Sequence, residues 1–202
     1  KLIVTFPGLG KYFFDIDPKS RFISALIKIW YRLNKKLIDV IIYLNEDDRK
    51  KISYLFDCRQ DVITGEGLSD VFGLGTKFRP GNKILFAGRL SYSKGMNEFL
   101  AAANELRDYD FLVAGVIPQS EEYMSWATTL KNQTIQNVKF LGFVDDIESL
   151  LKSVNYIFMP SRYGEGFPRI IIEGIACNCG VVVYPFPSSD DLVRHAPGVS
   201  QK

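Results

Sequence analysis

Asn155-Tyr-Ile-Phe-Met-Pro160-Ser-Arg-Tyr-Gly-Glu165-Gly-Phe-Pro168-Arg-Ile-Ile-Ile-Glu173-Gly174-Ile-Ala176-Cys-Asn-Cys-Gly180-Val-Val-Val-Tyr184 decides how this chain folds. Residues 155–159 form a continuous apolar run of strand length, residues 160–167 a glycine-bearing loop, residues 168–176 an apolar helix, and residues 181–184 a second buried strand. A strand, a helix and a strand in close succession make a βαβ unit, and therefore parallel pairing. Pro168 suits the first helical turn, whose amides have no partner within the helix. Those amides and the helix dipole form an anion site, for which a diphosphate is the natural occupant. Glu165 stands just ahead of the helix and Glu173 about a turn and a half inside it. One carboxylate can then reach a sugar and the other a ribose, because each carboxylate oxygen accepts hydrogen bonds from hydroxyl groups.

The same alternation runs upstream of this unit. Strands are expected at 83–87, 111–114 and 138–141, and helices at 96–106, 121–131 and 146–151. This is the pattern of a doubly wound parallel sheet, in which ligands bind outside the carboxyl ends of the strands. The loops at 88–95, 115–119, 142–145 and 160–167 should therefore converge. One of them, Phe86-Ala-Gly88-Arg89-Leu-Ser-Tyr-Ser-Lys94-Gly95, sets two cations five residues apart. Arg89 and Lys94 can stabilise the charge that develops as a nucleoside diphosphate departs, a task performed elsewhere by a divalent metal. No Asp-x-Asp stands at a strand end here, so no metal is expected, and Asp145-Asp146 reads as a helix cap.

Nearer the start, a strand at 2–6 leads into Pro7-Gly8-Leu9-Gly10, and a helical pattern spans 19–37. At about 100° per residue, Arg21, Lys28, Arg32, Lys35 and Lys36 share one face, while Ile23, Leu26, Trp30, Leu33 and Leu37 lie opposite. The helix is amphipathic with a basic polar face, which suits either solvent or an anionic membrane. A strand at 40–44 and the helix start Asn45-Glu-Asp-Asp48 follow, with that helix running to about 56. Another strand at 61–64 precedes a loop at 65–72. Residues 73–82, with three glycines and a proline, show no periodicity and read as an interdomain linker. Residues 1–75 and 76–202 are thus the expected domains.

Composition narrows the functional classes. The 202 residues are 47% apolar and 13% aromatic, with a formal charge of +2, too small to argue for a nucleic-acid partner. Three cysteines fit a reducing compartment, with the cytoplasm as default. Lysines and arginines interrupt every candidate membrane span. Lys1-Leu-Ile-Val-Thr-Phe6 reads as a strand already in progress, so a fragment is expected. A zinc site at Cys177 and Cys179 would need two more ligands from Cys58 and His195 alone, so the thiols read as buried or incidental. Gly8-Leu9-Gly10 is half a dinucleotide fingerprint with no third glycine, which disfavours a nicotinamide cofactor.

Together these residues resemble the retaining glycosyltransferases of family 4, over most of residues 83–193. The ordered set is Gly88-Arg89-Leu90 with Lys94-Gly95, then Leu141-Gly142-Phe143-Val144, then Pro160-Ser161 with Glu165-Gly166 and Pro168, then Glu173. Asn178 and Gly180 depart from the family pattern, the first tolerably because asparagine accepts positive φ. Thr5-Phe-Pro-Gly8-Leu-Gly10, Asn45-Glu-Asp-Asp48 and Gly65-Glu-Gly67 with Phe72 are similar to the branch that adds sugars to undecaprenyl-diphosphate-linked envelope glycans.

The resemblance implies a GT-B type α/β fold of two Rossmann-like, doubly wound parallel-sheet domains, the N-terminal one incomplete and the donor domain stopping short at its C-terminus. It implies that Gly88, Arg89 and Lys94 hold the donor diphosphate, Glu165 the sugar hydroxyls and Glu173 the ribose. The amides of Gly166 and Phe167 would lie near phosphate and sugar, and Leu141 and Val144 would flank the base. The expected activity is metal-independent, retaining transfer of a sugar from a nucleoside diphosphate, with UDP expected, to a lipid-linked or polysaccharide acceptor, with no cofactor. The expected location is cytoplasmic, with peripheral contact at the inner face of the plasma membrane through the helix at 19–37. A hydrolysing UDP-sugar 2-epimerase and a catalytically silent nucleotide-sugar binding module are the alternatives.

Overall fold

A computed structural model describes residues 1–13, 17–63, 67–68, 78–117, 135–161 and 168–184. The chain divides into two compact units, one built on Lys1–Gly67, the other on Leu68–Arg162 and Ile170–Tyr184. The domain boundary expected at 75/76 and the helix expected at 121–131 lie outside the described residues, as does Thr64.

In the first unit, strands β1 (Ile3–Phe6), β2 (Val40–Tyr43) and β3 (Arg59–Val62) pair in parallel in that order. Ile3 stands opposite Val40, and Val40 opposite Arg59. Helix α1 (Pro18–Asn34) joins β1 to β2, and α2 (Glu46–Ile52) joins β2 to β3. Asp17 opens α1 by accepting the Ser20 amide at 3.0 Å, with Pro18 as the first helical residue. The helices expected at 19–37 and 45–56 both finish in short 3-10 turns, Lys35–Leu37 and Ser53–Leu55. The core gathers Phe6, Ile41, Tyr43, Ile52, Leu55 and Phe56. Phe6 stacks on Tyr43 with centroids 5.7 Å apart and meets the edge of Tyr31 at 5.6 Å.

The apolar side of α1 is largely exposed. The side of α1 turned to the sheet carries Ser20, Ser24 and Tyr31, while Phe22, Leu26, Ile29, Trp30 and Leu33 are exposed, Leu33 at 78%. Three members of the basic face are engaged within the unit: Lys28 lies over the Phe13 ring, Arg32 over Tyr54, and Lys35 pairs with Asp57.

In the second unit, five parallel strands stand in the order β6-β5-β4-β7-β8: β4 (Lys83–Ala87), β5 (Asp110–Ala114), β6 (Val138–Gly142), β7 (Tyr156–Met159) and β8 (Gly180–Val183). Helices α3 (Met96–Glu105), α4 (Ile147–Ser153) and α5 (Arg169–Ala176) are described between them. One core cluster centres on Phe86, Phe99 and Phe111, and another on Leu85, Leu151 and Ile157. The described part of the expected linker is anchored. The Arg79 guanidinium donates to the carbonyls of Leu151, Lys152, Val154 and Cys177, at the ends of α4 and α5, where a cation complements the helix dipoles. Asn155 donates to the Arg79 carbonyl at 3.1 Å and accepts the Lys83 amide at 3.1 Å. Helix α5 ends in a Schellman turn: the Cys179 amide donates to the Gly174 carbonyl, and Asn178 sits at φ 64°, the left-handed geometry its sequence allowed.

Candidate functional site

The chain runs from β4 outward through β5 to β6, then returns to β7 on the other side of β4. The carboxyl ends of β4 and β7 therefore flank the topological switch point of this sheet, the position where open α/β sheets bind ligands. Backbone hydrogen bonds tie the strand exits together. Gly88 donates to Ala114 at 3.0 Å, Leu90 to Val116 at 3.0 Å, and Gly115 to Gly142 at 2.7 Å. Of the loops expected to converge, at 88–95, 115–119, 142–145 and 160–167, these bonds join the first three in their described residues.

Across the switch point, the β4 loop meets the segment that leaves β7. Ser161, itself buried, donates from Oγ to the Ser93 carbonyl at 3.4 Å, and the Ser91 and Ser93 hydroxyls share a bond of 2.8 Å. Gly95 has φ 78°, and a Cβ there would overlap the Pro160 carbonyl oxygen. The loop closes against β7 only because residue 95 is glycine. Arg89 is exposed at the loop's start, and Lys94, half-buried, ends its 3-10 turn at Tyr92–Lys94. The two cations thus stand at opposite ends of one braced loop. The serine bracing was missed in the sequence, where Ser91 and Ser161 carry no signal that distinguishes them from solvated loop hydroxyls.

Glu173 is 7% exposed on α5. It lies so deep because Gly174 beside it has no side chain: a Cβ there would overlap Ile157 Cδ1 of β7. The helix rests directly on the strand. Glu165, Gly166 and Phe167 lie outside the described residues. Leu141 and Val144 pack against the cluster of Leu85, Ala114 and Leu151, while Phe143 between them is exposed.

Asp146 caps α4 by accepting the Ser149 amide at 2.9 Å, and the Ser149 hydroxyl and amide hold its carboxyl below the usual range. Burial pushes the Cys177 thiol up and that of Cys179 to about 11, so neither is a ready nucleophile. Cys179 also donates to the Leu151 carbonyl at 3.3 Å. Among the described residues no group of three His, Cys, Asp or Glu side chains could hold a metal ion, and no helix is long and apolar enough to cross a membrane.

Residues 75–199, more than half of the chain, match the family described as glycosyl transferases group 1. The chain is 26% identical over 193 residues to the N,N'-diacetylbacillosaminyl-diphospho-undecaprenol alpha-1,3-N-acetylgalactosaminyltransferase of Campylobacter jejuni, covering 87% of this chain and 50% of that protein. It superposes on Anabaena HepE, solved in complex with UDP and glucose, with a TM-score of 0.71 and 19% identity over 96% of this chain and 55% of that one. WaaG, a glycosyltransferase involved in lipopolysaccharide biosynthesis, gives a TM-score of 0.62 at 14% identity, over 89% of this chain and 53% of WaaG. The chain therefore spans about half the length of the relatives it matches. The solved structures share the GT-B type fold expected from the sequence.

Proposed function

The chain belongs to the glycosyl transferases of group 1, and on that premise we propose that it transfers a hexose-type sugar from a nucleoside-diphosphate donor to a lipid-linked or growing envelope glycan. The reaction retains anomeric configuration, needs no metal and uses UDP as the carrier. The observation that carries this reading is the braced loop at the switch point, with Gly88 and Arg89 at one end and Lys94 at the other. UDP is favoured by the ligand of the Anabaena relative, and a lipid-linked acceptor by the name of the Campylobacter one.

In this reading the bond between the sugar's anomeric carbon and the diphosphate oxygen breaks. Arg89 and Lys94 neutralise the charge that collects on the departing diphosphate. The acceptor hydroxyl attacks from the same face, and its proton passes to the leaving phosphate oxygen, so the new bond keeps the old configuration. Glu165 holds the sugar hydroxyls and Glu173 the ribose, with the Gly166 and Phe167 amides near the phosphate and Leu141 and Val144 beside the base. Work at the cytoplasmic face of the plasma membrane belongs to the same reading. It is supported by α1, whose exposed apolar side is bordered by Arg21 and Arg32.

The test is calorimetric titration with UDP, GDP and ADP, then UDP-sugars, on the wild type and on Arg89→Ala, Lys94→Ala and Glu173→Ala. Saturable UDP binding lost in the three variants is expected, together with a retained anomeric signal in the NMR spectrum of the glycan product. A folded chain that binds no nucleotide would sink the donor assignment. A free epimerised sugar formed without acceptor would instead identify a 2-epimerase.

A further inference from the structure

Helices α4 and α5 both start at the carboxyl side of the second sheet, where Val144 precedes the first and Glu173 lies within the second, and both end at its amino side. At that far side a single guanidinium joins them. Arg79 Nη1 donates to the Lys152 carbonyl, and Nη2 reaches the carbonyls of Leu151, Val154 and Cys177 at 3.2, 3.3 and 3.2 Å. Three of these carbonyls belong to the last turn and cap of α4, and the fourth to the residue that follows α5.

Closing the helix ends does not account for this arrangement. Helix α5 is already closed by its Schellman turn, in which the Cys179 amide takes the Gly174 carbonyl and the Asn178 amide that of Ile175. Helix α4 is closed by the Val154 amide, which donates to the Leu151 carbonyl. What the guanidinium adds is a tie between the two helices. Its planar fork of donors suits carbonyls that converge from different elements.

The tie is also fixed to the sheet. Asn155, just ahead of β7, donates to the Arg79 carbonyl and accepts the Lys83 amide, both at 3.1 Å. A Cβ at Gly81 would overlap the Asn155 side-chain amide, and the Phe78 ring lies 5.4 Å from that of Tyr156 on β7. The backbone that carries the guanidinium therefore has little room to shift. From the Cys177 carbonyl, Glu173 is one helical turn away: the Cys177 amide donates to the Glu173 carbonyl at 3.0 Å. Gly174, next to it, rests against Ile157 of β7. In so close a packing, a displacement at the carboxyl end of this short helix is carried to Glu173.

We infer that Arg79 is a positioning residue of the nucleotide site. By tying the carboxyl ends of α4 and α5 to the amino side of the sheet, it sets where the Glu173 carboxylate stands, and so the grip on the ribose hydroxyls, without touching the ligand. The inference rests on the ribose role proposed for Glu173.

The test is calorimetric titration of the full polypeptide with UDP and with 2′,3′-dideoxy-UDP, which lacks the ribose hydroxyls. Hydrogen bonds to a charged group should give the wild type a preference for UDP of about tenfold or more, and Glu173→Gln should reduce it. Arg79→Lys keeps a cation at the helix ends but loses the planar fork. It should bring the preference close to unity and leave affinity for the dideoxy analogue near that of the wild type. Asn155→Asp keeps an acceptor for the Lys83 amide and loses the donor to Arg79, a milder perturbation that should lower the preference in the same direction. Phe111→Leu loosens the core at the amino end of β5, and it should melt lower yet keep the preference. A wild-type preference in both Arg79→Lys and Asn155→Asp would overturn the proposal. Its loss in Phe111→Leu would do the same, since loosening of any kind would then suffice. A wild type that binds UDP and the analogue alike would remove the ribose role of Glu173 itself, and the positioning role with it.

Discussion

Replacing Gly95 with alanine tests whether the braced loop is what holds Lys94 in place. Two costs arise at this position. A non-glycine residue at φ 78° is strained by roughly 1–2 kcal/mol, and the added Cβ overlaps a backbone oxygen, Pro160 O, which cannot rotate away. Overpacking of that kind adds roughly 1–3 kcal/mol. Gly142 is the control: its φ of 72° carries the same strain, but a Cβ there meets nothing within 4 Å. Gly142→Ala should therefore lose roughly 1–2 kcal/mol, and Gly95→Ala roughly 2–5 kcal/mol. Thermal unfolding reads the difference, at about 2–4 °C per kcal/mol for a chain of this size. Donor binding adds a second reading. If the clash moves the Lys94 ammonium from about 4 to about 5 Å from a phosphate charge, the loss at an effective dielectric of 20 is roughly 0.8 kcal/mol, or about fourfold in UDP affinity. Equal melting shifts in the two variants would refute the argument, because the contact with Pro160 would then contribute nothing.

Two further outcomes follow from burial and exposure. Because burial raises the Cys179 thiol to about 11, its contribution to stability is complete below the ordinary thiol value near 9 and is lost as pH rises through 11. Cys177 and Tyr43 are raised as well, so the comparison is between wild type and Cys179→Ala in denaturant titrations from pH 8 to 11. The variant's stability should fall less steeply, and parallel curves would refute the assignment. For α1, changing Leu26, Trp30 and Leu33 together to serine should abolish cosedimentation with vesicles containing anionic phospholipid and leave the melting temperature near that of the wild type. A large fall in melting temperature would mean that these side chains pack within the protein.

The parallel strands were legible because each is a short apolar run bounded by glycine, proline or asparagine. The strand at 83–87 agrees residue for residue, and most others shift by only a residue. The third strand is the exception: Arg59–Val62 begins two residues before the apolar run suggested, because its pairing with β2 places Arg59 opposite Val40. The 3-10 endings of α1 and α2 were hidden, since spacings of three and four residues share the same apolar pattern. Arg89, Lys94 and Glu173 could be picked out by residue type and spacing. The depth of Glu173 could not, because it depends on how closely Gly174 approaches Ile157 across the sheet. Glycine and proline made residues 73–82 read as a free linker, yet Arg79 reaches four carbonyls that come from distant positions in the chain.

Helix α1 shows why a periodic pattern fixes a stripe without fixing its direction. The apolar and basic sides were correctly separated by angle, but hydrophobicity alone would turn the apolar side inward. The packing partner decides otherwise. Phe6, Tyr43 and Phe56 already fill the space above the sheet, and α1 contributes Tyr31 to them, with ring centroids 5.6 Å from Phe6 and 5.3 Å from Phe56. Ser20 and Ser24 are buried on the same inward side. Leu33, two positions beyond Tyr31, then points outward. Among the described residues, Phe22, Leu26, Ile29 and Leu33 form an exposed row on α1. On the membrane contact proposed for α1, this row would lie among the acyl chains, with the Arg21 guanidinium at the phosphates. On the proposed membrane contact, the lipid-facing side of α1 is its apolar side, with the basic residues as its border.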